Sequence, residues 1–221
     1  MGTVKDRPLP KRLERVIDEA EALFVDEGFL HFGTMELARR LRCSKRALYS
    51  IAPTREKFFE LILERHLARL NREMYAAAKA APNCIAALCA PMETAITLFG
   101  NESNRFNNDL KSFPAGVRVL RRTEKQRMRL TEETVAQGVR IGAFRKVDPR
   151  LVAAALQAAA TRVTDPQYLS DSTMTWAQAL REVFRLFFHG LLQSRDAEEL
   201  RERHGRSVSV RHGTHSRAAA Q

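Results

Sequence analysis

The chain has 221 residues, a formal net charge of +11 at neutral pH, and 44% hydrophobic against 29% charged residues. That length buries about 70% of the unfolded surface on folding, and the balance excludes a disordered or collagen-like chain. The excess of Lys and Arg points to a polyanionic partner, nucleic acid ahead of an anionic membrane surface.

No apolar run approaches the roughly 18 residues of a membrane span, and the opening MGTVKDRPLPKRLER has no apolar stretch after its basic residues. No membrane partner and a cytoplasmic location are therefore expected. Apolar residues recur with a 3.6-residue period nearly throughout and nowhere alternate as in strands, so the expected fold is all helical. Residues 1–10 read as a flexible arm. Leu13, Val16, Ile17, Ala20, Leu23 and Phe24 share one stripe before Gly28, which predicts a first helix over about 11–27. Thr34 is the expected N-cap of a short second helix, Ser44 that of a third over 45–51, and Thr54, after Pro53, that of a long fourth helix reaching Ala81. Pro82 ends it. Further helical patterns run over about 84–99, 103–111, 114–138, 148–164 and 174–193, nine helices in total, separated by Gly100, Pro114, Gly142, Pro149 and Pro166. Residues 201–221 are small, basic and polar, with little to bury, and read as a disordered tail.

Two short helices joined by Arg42, Cys43 and Ser44, with an amphipathic helix before them, match a helix-turn-helix whose second helix enters the major groove. Residues 34–57 hold Arg39, Arg40, Arg42, Lys45, Arg46, Arg55 and Lys57 against only Glu36 and Glu56, whereas the first helix is acidic. The basic residues thus lie where a reading helix would meet phosphate. The stretches VIDEAEALFVDEGF (16–29), TMELARRL (34–41), SKRALY (44–49) and PTREKFF (53–59) together resemble the TetR family of one-component regulators. The matching positions are Ile17, Ala20, Leu23, Phe24, Gly28, Phe29, Thr34, Leu37, Ala38, Ser44, Leu48, Tyr49, Thr54, Arg55, Glu56 and Phe58, without a gap.

That resemblance implies a nine-helix architecture: a helix-turn-helix domain over 11–57 and an effector-binding and dimerisation domain over 58–200. It implies that Thr34 contacts phosphate through its hydroxyl and the helix N-terminus, and that Ser44, Lys45 and Arg46 face base edges and phosphates. Arg46 can pair bidentately with guanine, Tyr49 contacts backbone with Ser50 beside it, and Arg55 can bind phosphate at the start of the fourth helix. Leu37, Ala38, Leu48 and Phe24 read as core. The chain departs from the family where glycines are common, at Arg42 and Arg46, and at Ile51 and Ala52, where an aromatic or histidine and a phenylalanine are usual. These departures imply a different operator. Ile51 cannot bond to phosphate as the usual residue does, and the small Ala52 loosens the packing between the third and fourth helices.

For the remaining chain the resemblance implies architecture and a homodimer on a pseudo-palindromic operator, with GVRIGAFRKVDPR (138–150) similar to the turn between the seventh and eighth helices of many members. The alanine-rich helix over 151–164 and the one carrying Leu180, Val183, Phe184, Phe187, Phe188 and Leu191 are assigned to the dimer's four-helix bundle, with Leu156, Leu180, Phe184, Phe187, Phe188 and Leu191 in the interface. An effector pocket is expected between helices 4 and 8, lined by Met92, Phe99, Phe106, Leu110, Phe113, Met128 and Trp176. Asn101, Asn104, Asn107, Asn108 and Asp109 are candidate polar anchors, and Arg118, Arg121, Arg122, Lys125 and Arg129 form a basic face that is either solvated or attracts an anion. Cys43, Cys84 and Cys89 lack CxxC spacing, so neither a metal nor a disulfide is expected, and no cofactor motif is present. An enzyme is not expected, since HExxH, GxSxG, GxGxxG and Walker patterns are absent and the histidines are scattered. The expected function is sequence-specific repression relieved by a small-molecule effector; the competing reading is an interaction or antirepressor protein that keeps the fold without operator binding.

Overall fold

The computed structural model describes residues 10–100, 102–170 and 173–191, so the expected tail at 201–221 and, save Pro10, the expected N-terminal arm lie outside the described residues. Ten helices follow in order: α1 (Lys11–Glu27), α2 (Thr34–Arg40), α3 (Lys45–Ile51), α4 (Arg55–Ala80), α5 (Cys84–Phe99), α6 (Asn104–Ser112), α7 (Pro114–Arg140), α8 (Pro149–Val163), α9 (Pro166–Ser170) and α10 (Trp176–Leu191). Among the described residues there is no strand. The tenth helix is α9, whose five residues are too few to carry an amphipathic period.

Side chains start most of these helices. Ser44 Oγ accepts from the Ala47 N–H at 3.1 Å and Thr54 Oγ1 from the Lys57 N–H at 3.1 Å. Asn83, Ser103 and Asp148 do the same for α5, α6 and α8, each satisfying N–H groups that the first turn leaves unpaired. Thr34 differs from its expected role: Gly33 is the N-cap and Thr34 is the first helical residue. At the far end of α7, Gly142 lies at φ +74° and donates to the Val139 carbonyl, while Ala143 donates to Gly138, the bond pattern of a Schellman motif.

One hydrophobic cluster runs from the α1–α3 head into the body. It joins Phe24, Phe29, Leu37, Leu48 and Ile51 to Phe58, Phe59, Ile62 and Leu63 of α4, and then to Phe106, Leu110 and Phe113 beyond. The head core therefore continues across residue 57, where the domain boundary was expected. A second cluster, built on Cys84, Leu88, Val135, Phe144, Val152 and Leu191, closes the opposite end.

Polar ties complete the head-to-body joint. Asp109 Oδ2 of α6 accepts from the backbone N–H groups of Phe29 and Leu30 at 2.6 and 2.9 Å. Gly28 makes that approach possible: it sits at φ +77°, and a Cβ there would lie 2.7 Å from Asp109 Oδ2. Arg118 and Arg122 of α7 reach Glu60 and Glu64 of α4 at 3.3 and 2.7 Å, so two residues of the expected basic face serve as interhelical ion pairs.

Gly138 packs directly beneath the buried Phe144 ring, which a Cβ would overlap. Gly138→Ala is expected to lower stability by about 2 kcal/mol through overpacking, and a thermal melt showing Tm several degrees lower would register it.

Candidate nucleic-acid interface and ligand cavity

The geometry of the head sorts its cations into committed and available. Arg39 pairs with Glu36 at 2.5 Å, Arg40 with Glu27, and Lys57 with Glu60 at 2.7 Å. Arg55 is half fastened: it donates to the Phe32 carbonyl at 3.3 Å, meets Glu56 at 3.2 Å and lies 5.3 Å from the Phe59 ring centroid. Arg42, Lys45 and Arg46 are exposed and have no ion pair among the described residues. They occupy the turn and the first turn of α3, the basic end of the expected reading helix.

Tyr49 stands on the same helix with 51% of its surface exposed. Ser50 is exposed as well, its Oγ donating to the Ala47 carbonyl at 2.7 Å. Ile51, in contrast, is buried, so it serves the core and is not turned toward a DNA partner. Ala52 is also buried, beside a half-open depression of about 10 Å³ that Leu37, Leu48 and Phe58 line in part. Arg42 has φ +48°, the only non-glycine residue of positive φ among those described, which accounts for the glycine usual at this position.

Behind the head lies a buried ionic relay that sequence reasoning passed over. His66 of α4 is 3% exposed; its Nδ1 lies 3.0 Å from Glu21 Oε1 of α1 and its Nε2 lies 2.8 Å from Glu102 Oε1 in the α5–α6 connection. Arg69 Nη2 donates to the same Glu21 oxygen at 2.9 Å. Burial pulls the His66 pKa down, but the hydrogen bonds to Glu102 and Glu21 outweigh it, and the net shift is upward. Burial likewise pushes Glu21 up, and its bonds from His66 and Arg69 overcome this, bringing it to about 2. The only sequence signal was a lone histidine on the apolar face of α4.

Glu102 also borders a partly open cavity of about 490 Å³ bounded by α4–α10, a volume suited to a small molecule. Met92, Leu110, Met128 and Trp176 line it. Phe106 and Phe113 do not. They pack edge-on against Phe29, with ring centroids 6.1 and 5.8 Å away, as part of the head-to-body core. The side chain of Phe99 lies outside the described residues, as does Asn101. Asn104 and Asn107 reach the cavity, whereas Asn108 is exposed and Asp109 serves the head. Pro91, inside α5, also lines it and leaves the Ala87 carbonyl without its helical donor.

The expected interface residues divide between two environments. Leu156, Leu180 and Phe184 line the cavity, and Leu191 is buried in the second core cluster, so these four face the interior of the chain itself. Phe187 and Phe188 are half-buried against that cluster. The exposed apolar positions on α8 and α10 are instead Leu151 and Leu186, at 67% and 70%. Among the described residues no helix is long and apolar enough to cross a membrane, and no cluster of His, Cys, Asp or Glu could hold a metal.

No family model and no curated protein sequence matches the chain. Solved structures do. A putative transcriptional regulator from Saccharomonospora viridis, in complex with choline, superposes with TM-score 0.70 at 14% identity, over 83% of this chain and 99% of that one. A putative TetR-family transcriptional regulator from Mesorhizobium loti gives 0.64 at 14% identity, over 83% and 98%. AibR, in complex with isovaleryl coenzyme A and operator DNA, gives 0.57 at 18% identity, over 79% and 97%. The chain carries the fold of the TetR-family transcriptional regulators.

The relay makes stability depend on pH. His66, whose folded pKa is raised above the ordinary 6.5, contributes stability that is complete below that value and lost as pH rises through the folded pKa. Glu21 contributes above 4.5 and loses its contribution as pH falls through about 2. Melts across pH are expected to show the full contribution between about 4.5 and 6.5, and His66→Gln should remove the alkaline decline.

Proposed function

We propose that the protein is a homodimeric, sequence-specific DNA-binding transcriptional regulator, acting as a repressor that a small molecule in the 490 Å³ cavity releases from its operator. The observation that carries this reading is the unpaired row Arg42, Lys45 and Arg46, set beside exposed Tyr49 on the outer face of α3. Lys45 and Arg46 stand at the N-terminal turn of that helix, which is the part that meets base edges in a helix-turn-helix complex. Thr34, Ser44, Ser50 and Arg55 are the accompanying contacts, with Thr34 offering its hydroxyl and the N-terminus of α2 to a phosphate. The fold shared with AibR, whose complex holds operator DNA and isovaleryl coenzyme A, supports both halves of the reading.

The dimer forms through α8 and α10. Their outer faces carry Leu151, Ala154 and Ala158 on one helix and Leu186 and Gly190 on the other, apolar or small residues that leave room for close helix approach. Phe187 and Phe188 contribute from the edge of the second core cluster. Two-fold symmetry then sets two reading helices about 34 to 36 Å apart on a pseudo-palindromic site. Because the head core includes the first half of α4, a ligand that favours a different α4 position changes that spacing. The coupling required is ordinary, about 1 to 3 kcal/mol. Such a protein works with the chromosome in the cytoplasm.

Fluorescence anisotropy against the DNA upstream of its own gene and a scrambled duplex tests the reading across a salt series. Arg46→Ala is expected to weaken binding to the native duplex by about 1 to 3 kcal/mol and the scrambled one far less. Arg42→Gly should lower affinity for both duplexes and the salt slope by about one, while leaving stability unchanged or up to about 1 kcal/mol higher, since the left-handed strain is relieved. Equal, steeply salt-dependent binding to both duplexes by wild type would overturn specific recognition. Leu186→Asp, on an exposed position, should convert the dimer to a folded monomer by light scattering.

A further inference from the structure

Four ionisable side chains line the cavity: Glu102, Lys111, Glu124 and Arg127. Glu102 is already spent on His66, at 2.8 Å. Lys111 is exposed at the rim. Arg127 of α7 is largely buried, and among the described residues its side chain makes one hydrogen bond, from Nη1 to Asn71 Oδ1 at a long 3.4 Å. A guanidinium carries five N–H donors, so most of its capacity is unmatched by protein.

No fully buried side-chain nitrogen or oxygen lacks a partner among the described residues. The remaining Arg127 donors are therefore accessible, on a residue that lines the cavity. Glu124, one turn earlier on α7, acts on Arg127 only through space and forms no ion pair with it among the described residues. Burial lowers the pKa of Arg127 and the Glu124 charge offsets this only in part, which is the signature of a cation short of a counter-ion. The rest of the lining is mainly apolar, with Leu67, Met74, Leu88, Met92, Met128 and Leu180 among it, and is interspersed with neutral polar side chains such as Asn107, Thr131 and Gln157.

We infer that the ligand of this cavity is an amphipathic organic carboxylate, its anionic head paired bidentately with Arg127 and its apolar body laid against the Leu and Met walls. This rests on the reading of the cavity as the effector site and adds the chemistry of the effector. The anchor also reports to α4. Asn71 is pinned by donating to Gln126 Oε1 at 2.8 Å and to the Thr123 carbonyl at 3.4 Å, which leaves its Oδ1 as the acceptor that an arriving carboxylate displaces from Arg127.

Isothermal titration calorimetry of the DNA-free full chain with octanoate, decanoate and dodecanoate, each beside the alcohol and the alkyltrimethylammonium of equal length, tests this. The carboxylates are expected to bind at least about tenfold more tightly than their alcohols and cations. Arg127→Met should weaken them roughly ten- to hundredfold without altering alcohol binding, and Arg127→Lys should restore part of the loss. Arg127→Met should melt no lower than wild type, since it removes a buried, undercompensated charge. Preference for the cation would assign the anchor to Glu124 and overturn the proposal, as would equal binding of alcohol and carboxylate, an unchanged Arg127→Met, or no binding by any carboxylate. Because these titrations contain no DNA, carboxylate binding that leaves operator affinity unchanged would sink the release mechanism and leave the cavity chemistry standing.

Discussion

Seven phenylalanine rings hold the molecule's two functional regions in one piece. Phe24, Phe29 and Phe32 come from the head, Phe58 and Phe59 from the start of α4, and Phe106 and Phe113 from the ends of α6, with neighbouring ring centroids 5.2 to 6.4 Å apart. Each buried ring contributes about 1.5 to 3 kcal/mol, and tilted or edge-on pairs add about 0.5 to 1.5 kcal/mol more. With that much of its core supplied by α4, α6 and α7, the three-helix head has no separate interior. The face that displays Lys45 and Arg46 is positioned by the same contacts that close one side of the cavity, since Leu67 and Leu110 belong both to this cluster and to the cavity wall.

Apolar packing is forgiving of small slips, and the polar groups at its edge are not. His66 touches the Phe106 ring edge-on while bridging Glu21 and Glu102, so one imidazole links α1, α4 and the cavity rim. Asp109 reads the end of α1 from α6 by two backbone hydrogen bonds. Such groups lose heavily when left unpaired in a low-dielectric interior, so they select discrete arrangements where the phenylalanines alone would permit a continuum. A shift of the cavity rim must carry Glu102, and with it either the head or a broken hydrogen bond.

How much of this was legible in the sequence depended on whether the signal was local. Ser44 and Thr54 cap the helices they precede, as read from the sequence, because capping is settled within four residues. Gly33 in place of Thr34 moved one cap by a residue, and α9 was too short for periodicity to register. Phe106 and Phe113 were expected in the cavity because an aromatic on an apolar stripe reads the same whether it faces a void or a neighbouring ring. Leu156 and Leu180 were given to a partner for a like reason: periodicity finds the apolar face of a helix but not what covers it. His66 and Arg127 escaped notice because a single ionisable residue in an amphipathic helix resembles a solvated one until the packing of a second helix decides its burial.

Of these elements α4 joins the head to the cavity. Its 26 residues run without a proline or glycine from Arg55, beside the reading helix, past His66 and Asn71 to the far wall of the cavity. At 1.5 Å per residue that is a rod of about 39 Å. A tilt of about 5° about one end carries the other through about 3 Å, close to the rise of one base pair. On the proposed function such a helix would serve as a lever, enlarging a displacement too small to disturb side-chain packing at the cavity into one commensurate with the step of the double helix.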